Sequence, residues 1–356
     1  MVKSVYIHIP LCKSKCHYCS FISFNKLNLC ENYLNALDKQ ICTNYKGEEL
    51  KTLYIGGGTP SVLTCSQIRN IISRFNISKN TEITVETNPE DLGFEYLKDL
   101  KNTGINRLSI GCQSFDDEIL KLINRRHNSQ KVTDSVKIAQ NAGFDNINLD
   151  FIYGLPNQTE SMFLNDLEYA ISLGIQHISL YGLKLEEGCY FYKNPPKNIA
   201  DDDTQANMYT KAVELMKNNG FEHYEVSNFA RKGYESKHNL TYWNNEEYYG
   251  FGVGAHGCEN KIRYANSETI EQYIQNPNFH IEETKQTPQS QLEEEIFLGL
   301  RKIAGINVEN INKKYNIDFE IKYKDILNKY TKLNLLKRTQ KGYAFTLEGI
   351  LLSNVV

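Results

Sequence analysis

Cys12, Cys16 and Cys19 stand in C-x₃-C-x₂-C spacing after the run Val5-Tyr-Ile-His-Ile-Pro10, with Tyr18 directly before the last cysteine. Three thiolates can hold three irons of a four-iron cluster and leave the fourth open to a ligand. Four protein ligands would instead describe an electron-transfer cluster or a closed structural zinc site. An open iron implies chemistry. The bland alternative is zinc, with His17 or a distant residue as fourth ligand, but no second cysteine pair follows. Cys30, Cys42, Cys65, Cys112, Cys189 and Cys258 are scattered singly and read as ordinary reduced residues.

Other polar and glycine-rich stretches could complete such a site. Gly56-Gly-Gly-Thr-Pro60 lets backbone approach a ligand and offers N–H groups to carboxylates or hydroxyls, or it is simply a tight turn. It lacks the Gly-Lys-Ser/Thr of a phosphate loop. Glu86, Gln113, Arg125 and Asp150 are singly ordinary surface or capping residues. Together they could bind a charged nucleoside amino acid: a carboxylate for ribose hydroxyls or an ammonium, an arginine fork for a carboxylate.

These residues need elements to position them. Short β-like runs at residues 4–9, 52–55, 82–86, 106–110, 146–151 and 177–181 alternate with helical spacing at 32–45, 66–75, 94–102, 132–141 and 161–172. Repeated strand–helix units predict a parallel sheet with right-handed crossovers, whose sites gather at the strands' carboxyl ends. The cysteine loop and the segments 56–60, 86–89, 111–114 and 150–156 fall at those ends. A doubly wound nucleotide-binding domain would concentrate glycine in its first βα turn, and this chain does not. The fold expected is α/β, a doubly wound sheet or a barrel over 1–183, extended over 184–288. A mostly helical, winged-helix-like domain follows over 289–356, with helices at 292–301, 308–315 and 321–332 and a strand near 342–347. A further helix is expected over 201–218, and Pro277 and Pro288 in a polar stretch suggest a linker.

The chain has 356 residues, 40% hydrophobic, with 40 basic and 43 acidic side chains for a net charge of -3. That balance gives no pull towards nucleic acid, and no nucleic-acid partner is expected. Nine cysteines, an odd number, and no apparent signal segment argue against a disulfide framework and predict a cytoplasmic protein. No apolar stretch nears the ~20 residues that span a bilayer.

Six motifs in order now carry a resemblance: Tyr6-Ile-His-Ile-Pro-x-Cys12, C-x₃-C-x₂-C, Gly-Gly-Gly-Thr-Pro, Glu86-Thr-Asn-Pro, Ser109-Ile-Gly-Cys-Gln113-Ser-Phe and Asp150-Phe-Ile-Tyr-Gly-Leu-Pro156. The chain resembles the radical S-adenosylmethionine (SAM) enzymes, and more narrowly the oxygen-independent coproporphyrinogen III dehydrogenase branch. The resemblance implies a partial (β/α)₆ barrel over 1–183 and a [4Fe-4S] cluster on Cys12, Cys16 and Cys19, with SAM chelating the open iron. One electron, from a donor such as flavodoxin or ferredoxin, then cleaves SAM to methionine and a 5′-deoxyadenosyl radical. By matching position it puts Tyr6, Tyr18, Gly57, Gly58, Thr59, Glu86, Gln113, Arg125 and Asp150 near SAM.

Two departures separate the chain from the dehydrogenase proper. Phe21 stands where that enzyme has a fourth cysteine, and few residues precede the first strand. His238-Asn-Leu-Thr-Tyr-Trp243, Gly250-Phe-Gly-Val-Gly-Ala-His-Gly257 and Thr346-Leu-Glu-Gly-x₄-Asn354 instead resemble the heme-chaperone branch. That branch implies heme as cargo, held by His238, Tyr242, Trp243 or His256, and a heme-acceptor protein, a membrane protein or a homodimer partner being compatible with it. An imidazole can ligate iron and aromatics can cover a porphyrin face. The plain alternative is a packed loop with Trp243 in the core. Porphyrinogen decarboxylation, or radical chemistry on another substrate such as RNA, is the competing activity.

Overall fold

The computed structural model describes residues 2–353. Asn354, which closes the last of the motifs above, lies outside the described residues. Six parallel strands, β1 (Ser4–Ile9), β2 (Glu49–Gly57), β3 (Asn76–Thr87), β4 (Arg107–Gln113), β5 (Ile147–Tyr153) and β6 (His177–Gly182), lie side by side in chain order. A doubly wound sheet reverses its strand order at a switch point; here there is none, so the winding is that of a barrel. Beyond β6 the sheet continues through antiparallel β8 (Asn228–Ala230) and β7 (Glu222–Glu225), and on the far side β9 (Tyr249–Phe251) pairs parallel to β1. These three short strands carry too few residues for a period-two pattern and were not expected from sequence.

The barrel strands divide their two faces cleanly. Val5, Ile7 and Ile9, Leu53 and Ile55, Ile83 and Val85, Leu108 and Ile110, Leu149 and Phe151 are buried in one continuous core. Each such side chain contributes ~1.5–3 kcal/mol. The alternate positions, Ser4, Tyr6 and His8, Thr52 and Tyr54, Glu82 and Glu86, Arg107 and Ser109, Asn148 and Asp150, are polar or aromatic. Stability therefore comes from the apolar face, which leaves the polar face free for a site.

The predicted helices form with ends shifted by a few residues: Cys30–Asn44, Cys65–Ile72, Phe94–Lys101, Ser129–Asn141, Glu160–Ser172 and Asp202–Asn218. Thr64 and Gln67 build a reciprocal capping box at the start of the second. The expected linker before the last helices is instead structured. β12 (His280–Lys285) pairs with β11 (Ile262–Asn266), which pairs with β10 (His256–Glu259), and Pro288 occupies the first turn of the helix Pro288–Leu300, where its missing N–H costs nothing.

The C-terminal part packs its own core around Leu292, Ile311, Phe319, Leu336, Tyr343 and Phe345. Its helices are Val308–Tyr315, Phe319–Lys322 and Lys324–Lys332, and its sheet is β13 (Ile306–Asn307), β15 (Gly342–Phe345) and β14 (Leu336–Arg338). The expected helix over 321–332 is thus broken at Tyr323. No helix among the described residues is long and apolar enough to cross a membrane.

Candidate functional site

The cysteine loop leaves β1 at Pro10 and is stitched down by backbone bonds. The Cys12 N–H donates to the Phe24 carbonyl at 3.0 Å, and the His17 N–H to the Ile123 carbonyl at 3.1 Å. All three cysteines line one cavity of about 1020 Å³ at the carboxyl ends of the strands, shared with Tyr18, Gly57, Gly58, Thr59, Glu86, Gln113, Arg125 and Asp150. Tyr6 does not line it. Its hydroxyl lies 3.0 Å from His8 Nδ1, beside a smaller cavity of about 350 Å³ that also takes in Phe21, Tyr242, Tyr248 and His256.

Among the described residues no three His, Cys, Asp or Glu side chains converge closely enough for a single metal ion. A four-iron cluster places each thiolate on a different iron, so a wider spread of thiols at one cavity wall suits it. His17 turns elsewhere, with Nδ1 2.9 Å from the Leu122 carbonyl and its ring stacked on Tyr190. Cys12 Sγ lies 3.3 Å from the Thr59 hydroxyl. A Cβ on Gly58 would meet Cys12 Sγ at 3.0 Å, and one on Gly57 (φ +113°) would meet the His8 ring at 2.7 Å. These glycines are required by the protein's own packing. Nor are their N–H groups free, as the sequence suggested: Gly57 donates to Glu86 Oε2 at 3.0 Å and Gly58 to the Ile9 carbonyl at 2.8 Å.

Arg125 ties the loops together. One terminal nitrogen donates to Asn88 Oδ1 at 2.8 Å and to the Gly111 carbonyl at 2.7 Å, and the other leans on Cys16 Sγ at 3.6 Å. Burial works against its charge, but Tyr18, Cys16 and Glu90 around it raise its pKa overall. Burial raises Cys12, and raises Cys19 to about 11, so iron must displace protons from those two thiols to bind. These features fit a cluster held by Cys12, Cys16 and Cys19. When bound, such a cluster with SAM supplies one-electron chemistry.

The carboxylates sit on the polar inner face. Glu86 accepts from the Tyr54 hydroxyl at 2.8 Å, and burial, with Asp150 nearby, pushes its pKa up to about 7. Asp150 accepts from Ser109 at 3.0 Å and Asn148 at 2.8 Å, its pKa raised by burial. Gln113 ends β4 with φ +71°, at a shift in the register against β5. A non-glycine residue held there is strained backbone of the kind that clusters at functional sites.

The segment 238–243, a packed loop in the plain alternative, is a helix (Lys237–Trp243) capped by Ser236. It closes the amino end of the barrel interior. Glu82 accepts from the Lys237 and His238 N–H groups at 3.2 and 3.1 Å, and Thr241 meets Ser4 at 3.0 Å. His238 is 1% exposed. Its Nδ1 is 2.8 Å from Thr52 Oγ1, its Nε2 2.8 Å from the Tyr242 hydroxyl, and its ring stacks on Tyr54. Burial and the nearby Arg107 lower its pKa to about 3. Neither ring nitrogen is free, and His238 lines neither cavity. Tyr242 lines both and Trp243 lines the large one. The His256 ring is exposed and makes no hydrogen bond among the described residues.

With this geometry in place, comparison with known proteins is informative. The Radical SAM superfamily profile matches residues 6–170, and the HemN C-terminal domain profile matches residues 286–352. A protein of Bacillus subtilis named "Heme chaperone HemW" is 38% identical over 371 residues, covering 100% of this chain and 98% of its own. One of the same name from Lactococcus lactis subsp. lactis is 38% identical over 363 residues, covering 99% of this chain and 96% of its own. The chain belongs to the HemW family of radical SAM proteins. HemN, the coproporphyrinogen III oxidase of Escherichia coli, superposes with TM-score 0.87 over 99% of this chain and 88% of its own, at 22% identity. That likeness establishes a shared fold. The HemW match agrees with Phe21, which is 68% exposed in the cysteine loop.

Sequence reasoning missed Tyr54 and Tyr181 and gave Asn88 and Ser109, which stand in the quoted motifs, no role of their own; all four line the same cavity. Tyr54 and Ser109 share strand parity with motif residues Gly56 and Gln113, a signal that could have found them. Arg301 and Leu351, also at the cavity wall, carry no such signal.

Proposed function

We propose that this protein is a heme chaperone that carries a [4Fe-4S] cluster with SAM and passes heme to an acceptor protein. The observation that carries the proposal is one cavity in which the three cysteines and eight of the nine expected SAM residues open together and which continues to Tyr242 and Trp243. SAM takes the end beside the cysteines, where Arg125 and the glycine turn fix the loop and Glu86 and Asp150 offer acceptors. Tyr6 acts at one remove, through His8, whose ring the Gly57 backbone crosses.

Heme is cargo in this reading. Tyr242 and Trp243 give it aromatic surface, and His256, on the smaller cavity that shares Tyr242 with the large one, is the imidazole open to its iron. His238 acts from beneath, by holding the Tyr242 hydroxyl; to ligate iron it would first have to release Thr52 or Tyr242. An electron donor of the flavodoxin or ferredoxin kind and a heme acceptor complete the partners.

The test is anaerobic reconstitution of the full chain, measuring iron, sulfide and SAM cleavage with and without heme. A heme spectrum in cluster-loaded protein is expected. Its absence, or turnover of coproporphyrinogen III, would sink the reading and favour the dehydrogenase.

A further inference from the structure

The large cavity runs past the residues expected for SAM to a second end, walled by Tyr209, Glu225, Trp243, Arg301, Leu351 and Leu352. At about 1020 Å³ it is at the top of the range for a pocket holding one small molecule.

Arg301 is held there from both sides. It follows the helix Pro288–Leu300 as its last capping residue. Its carbonyl accepts from the Val226 N–H at 3.0 Å, Lys302 bridges to Glu225, and the Ile303 N–H donates to the Tyr224 carbonyl at 3.2 Å. The C-terminal part is thereby stitched to the β7–β8 hairpin. The guanidinium carbon lies 4.7 Å over the Trp243 ring. Stacking of this kind fixes the guanidinium and leaves its in-plane N–H fork open.

That fork has no protein partner. Among the described residues the Arg301 side chain makes no hydrogen bond or ion pair, and its Nε is buried and unpartnered. The Trp243 Nε1, on the same wall, is also buried and unpartnered. Glu225 is close enough for Arg301 to lower its pKa, against a larger raise from burial. Yet its carboxylate is already taken by the Ser227 N–H at 3.1 Å and by the Asn228 amide. Two buried orphan donors at one cavity wall require an explanation in a native structure. Donors of this kind, one on a cation with a planar fork, match a carboxylate.

We propose that Arg301 and Trp243 form a carboxylate-binding subsite, and that the carboxylate it takes is a propionate of the heme cargo. The second half rests on the proposed heme-chaperone function. The surroundings favour a macrocycle acid over a small polar one, because Leu351 and Leu352 on the same wall are 37% and 50% exposed. SAM also carries a carboxylate, so the test must separate the two sources. Since Arg301 belongs to the C-terminal part and Trp243 to the helix under the barrel, a ligand held between them joins both.

The experiment is a visible-absorbance titration of the full chain with heme and with heme dimethyl ester, in which both propionates are blocked. Wild type is expected to bind heme about tenfold or more tighter than the ester, the scale of one charge-assisted hydrogen bond. Arg301→Gln is expected to bring heme down to the ester's affinity, Arg301→Lys to keep part of the preference, and all three to bind SAM equally. Equal binding of heme and ester by wild type, or no loss in Arg301→Gln, overturns the subsite. Loss of SAM binding in Arg301→Gln overturns its assignment to heme. If wild type binds neither porphyrin, the chaperone reading fails, and succinate then judges the subsite alone. It should shift the emission of Trp243, the only tryptophan in the chain, in wild type and not in Arg301→Gln. No shift in wild type overturns the subsite as well. Matching thermal unfolding of the variants excludes misfolding.

Discussion

The two ends of the large cavity are built in opposite ways. At the cysteine end most polar groups already have protein partners: the terminal nitrogens of Arg125 are shared among Asn88, Gly111 and Cys16, although its Nε is buried and unpartnered, and the Gly57 and Gly58 N–H groups go to Glu86 and Ile9. At the Trp243 end two donors are buried without any. A largely satisfied hydrogen-bond network holds geometry without help from a ligand, as a resident cofactor needs. Orphan donors are costly until a ligand arrives, as suits a cargo that comes and goes. The contrast teaches that one cavity can be rigid scaffold at one end and unsatisfied receptor at the other.

The strongest way to break this contrast is at the thiols. Cys12→Ser, Cys16→Ser or Cys19→Ser alone should abolish the cluster, read as iron and sulfide per chain after reconstitution. Retention of a full cluster by any one of them would remove that cysteine from the ligand set.

Next in size is the buried imidazole. His238→Ala removes a buried ring, its stack on Tyr54 and two hydrogen bonds, leaving Thr52 and Tyr242 unpaired. A loss of about 2–4 kcal/mol in denaturant unfolding is expected. His256→Ala, on an exposed ring, should stay within about 0.5 kcal/mol of wild type yet alter the heme spectrum. If His238→Ala is as stable as wild type but loses heme, the roles of the two histidines are reversed.

A smaller effect comes from Glu86, whose folded pKa of about 7 lies above its usual 4.5 because burial disfavours the charge. The folded state therefore holds a proton that the unfolded state has lost between those values. The penalty is absent below pH 4.5, grows as pH rises to 7 and is then constant. Glu86→Gln should be more stable than wild type by about 1–3 kcal/mol above pH 7. The gain should shrink towards zero near pH 4.5. A gain that does not vary with pH would contradict the burial argument.

The cysteine end was legible in the sequence because each βα loop there is a contiguous motif following an apolar strand. The parallel sheet followed from the same alternation, and the barrel from the resemblance. At the Trp243 end only the motif at 238–243 stood out, because Glu225, Arg301 and Leu352 come from three other segments whose meeting with it depends on tertiary packing. Nor were the neighbours of His238 legible, since Thr52 and Glu82 sit on strands far away in the chain, or the strand at 280–285, where β12 depends on pairing with β11. Strands this short and polar carry no period of their own.

The account's central claim is that cluster and cargo occupy different ends of one cavity. The most direct test is an anaerobic heme titration of the triple variant Cys12→Ser, Cys16→Ser, Cys19→Ser beside wild type. The account predicts no cluster in the variant and a heme affinity within about threefold of wild type. Loss of heme binding together with the cluster would contradict it.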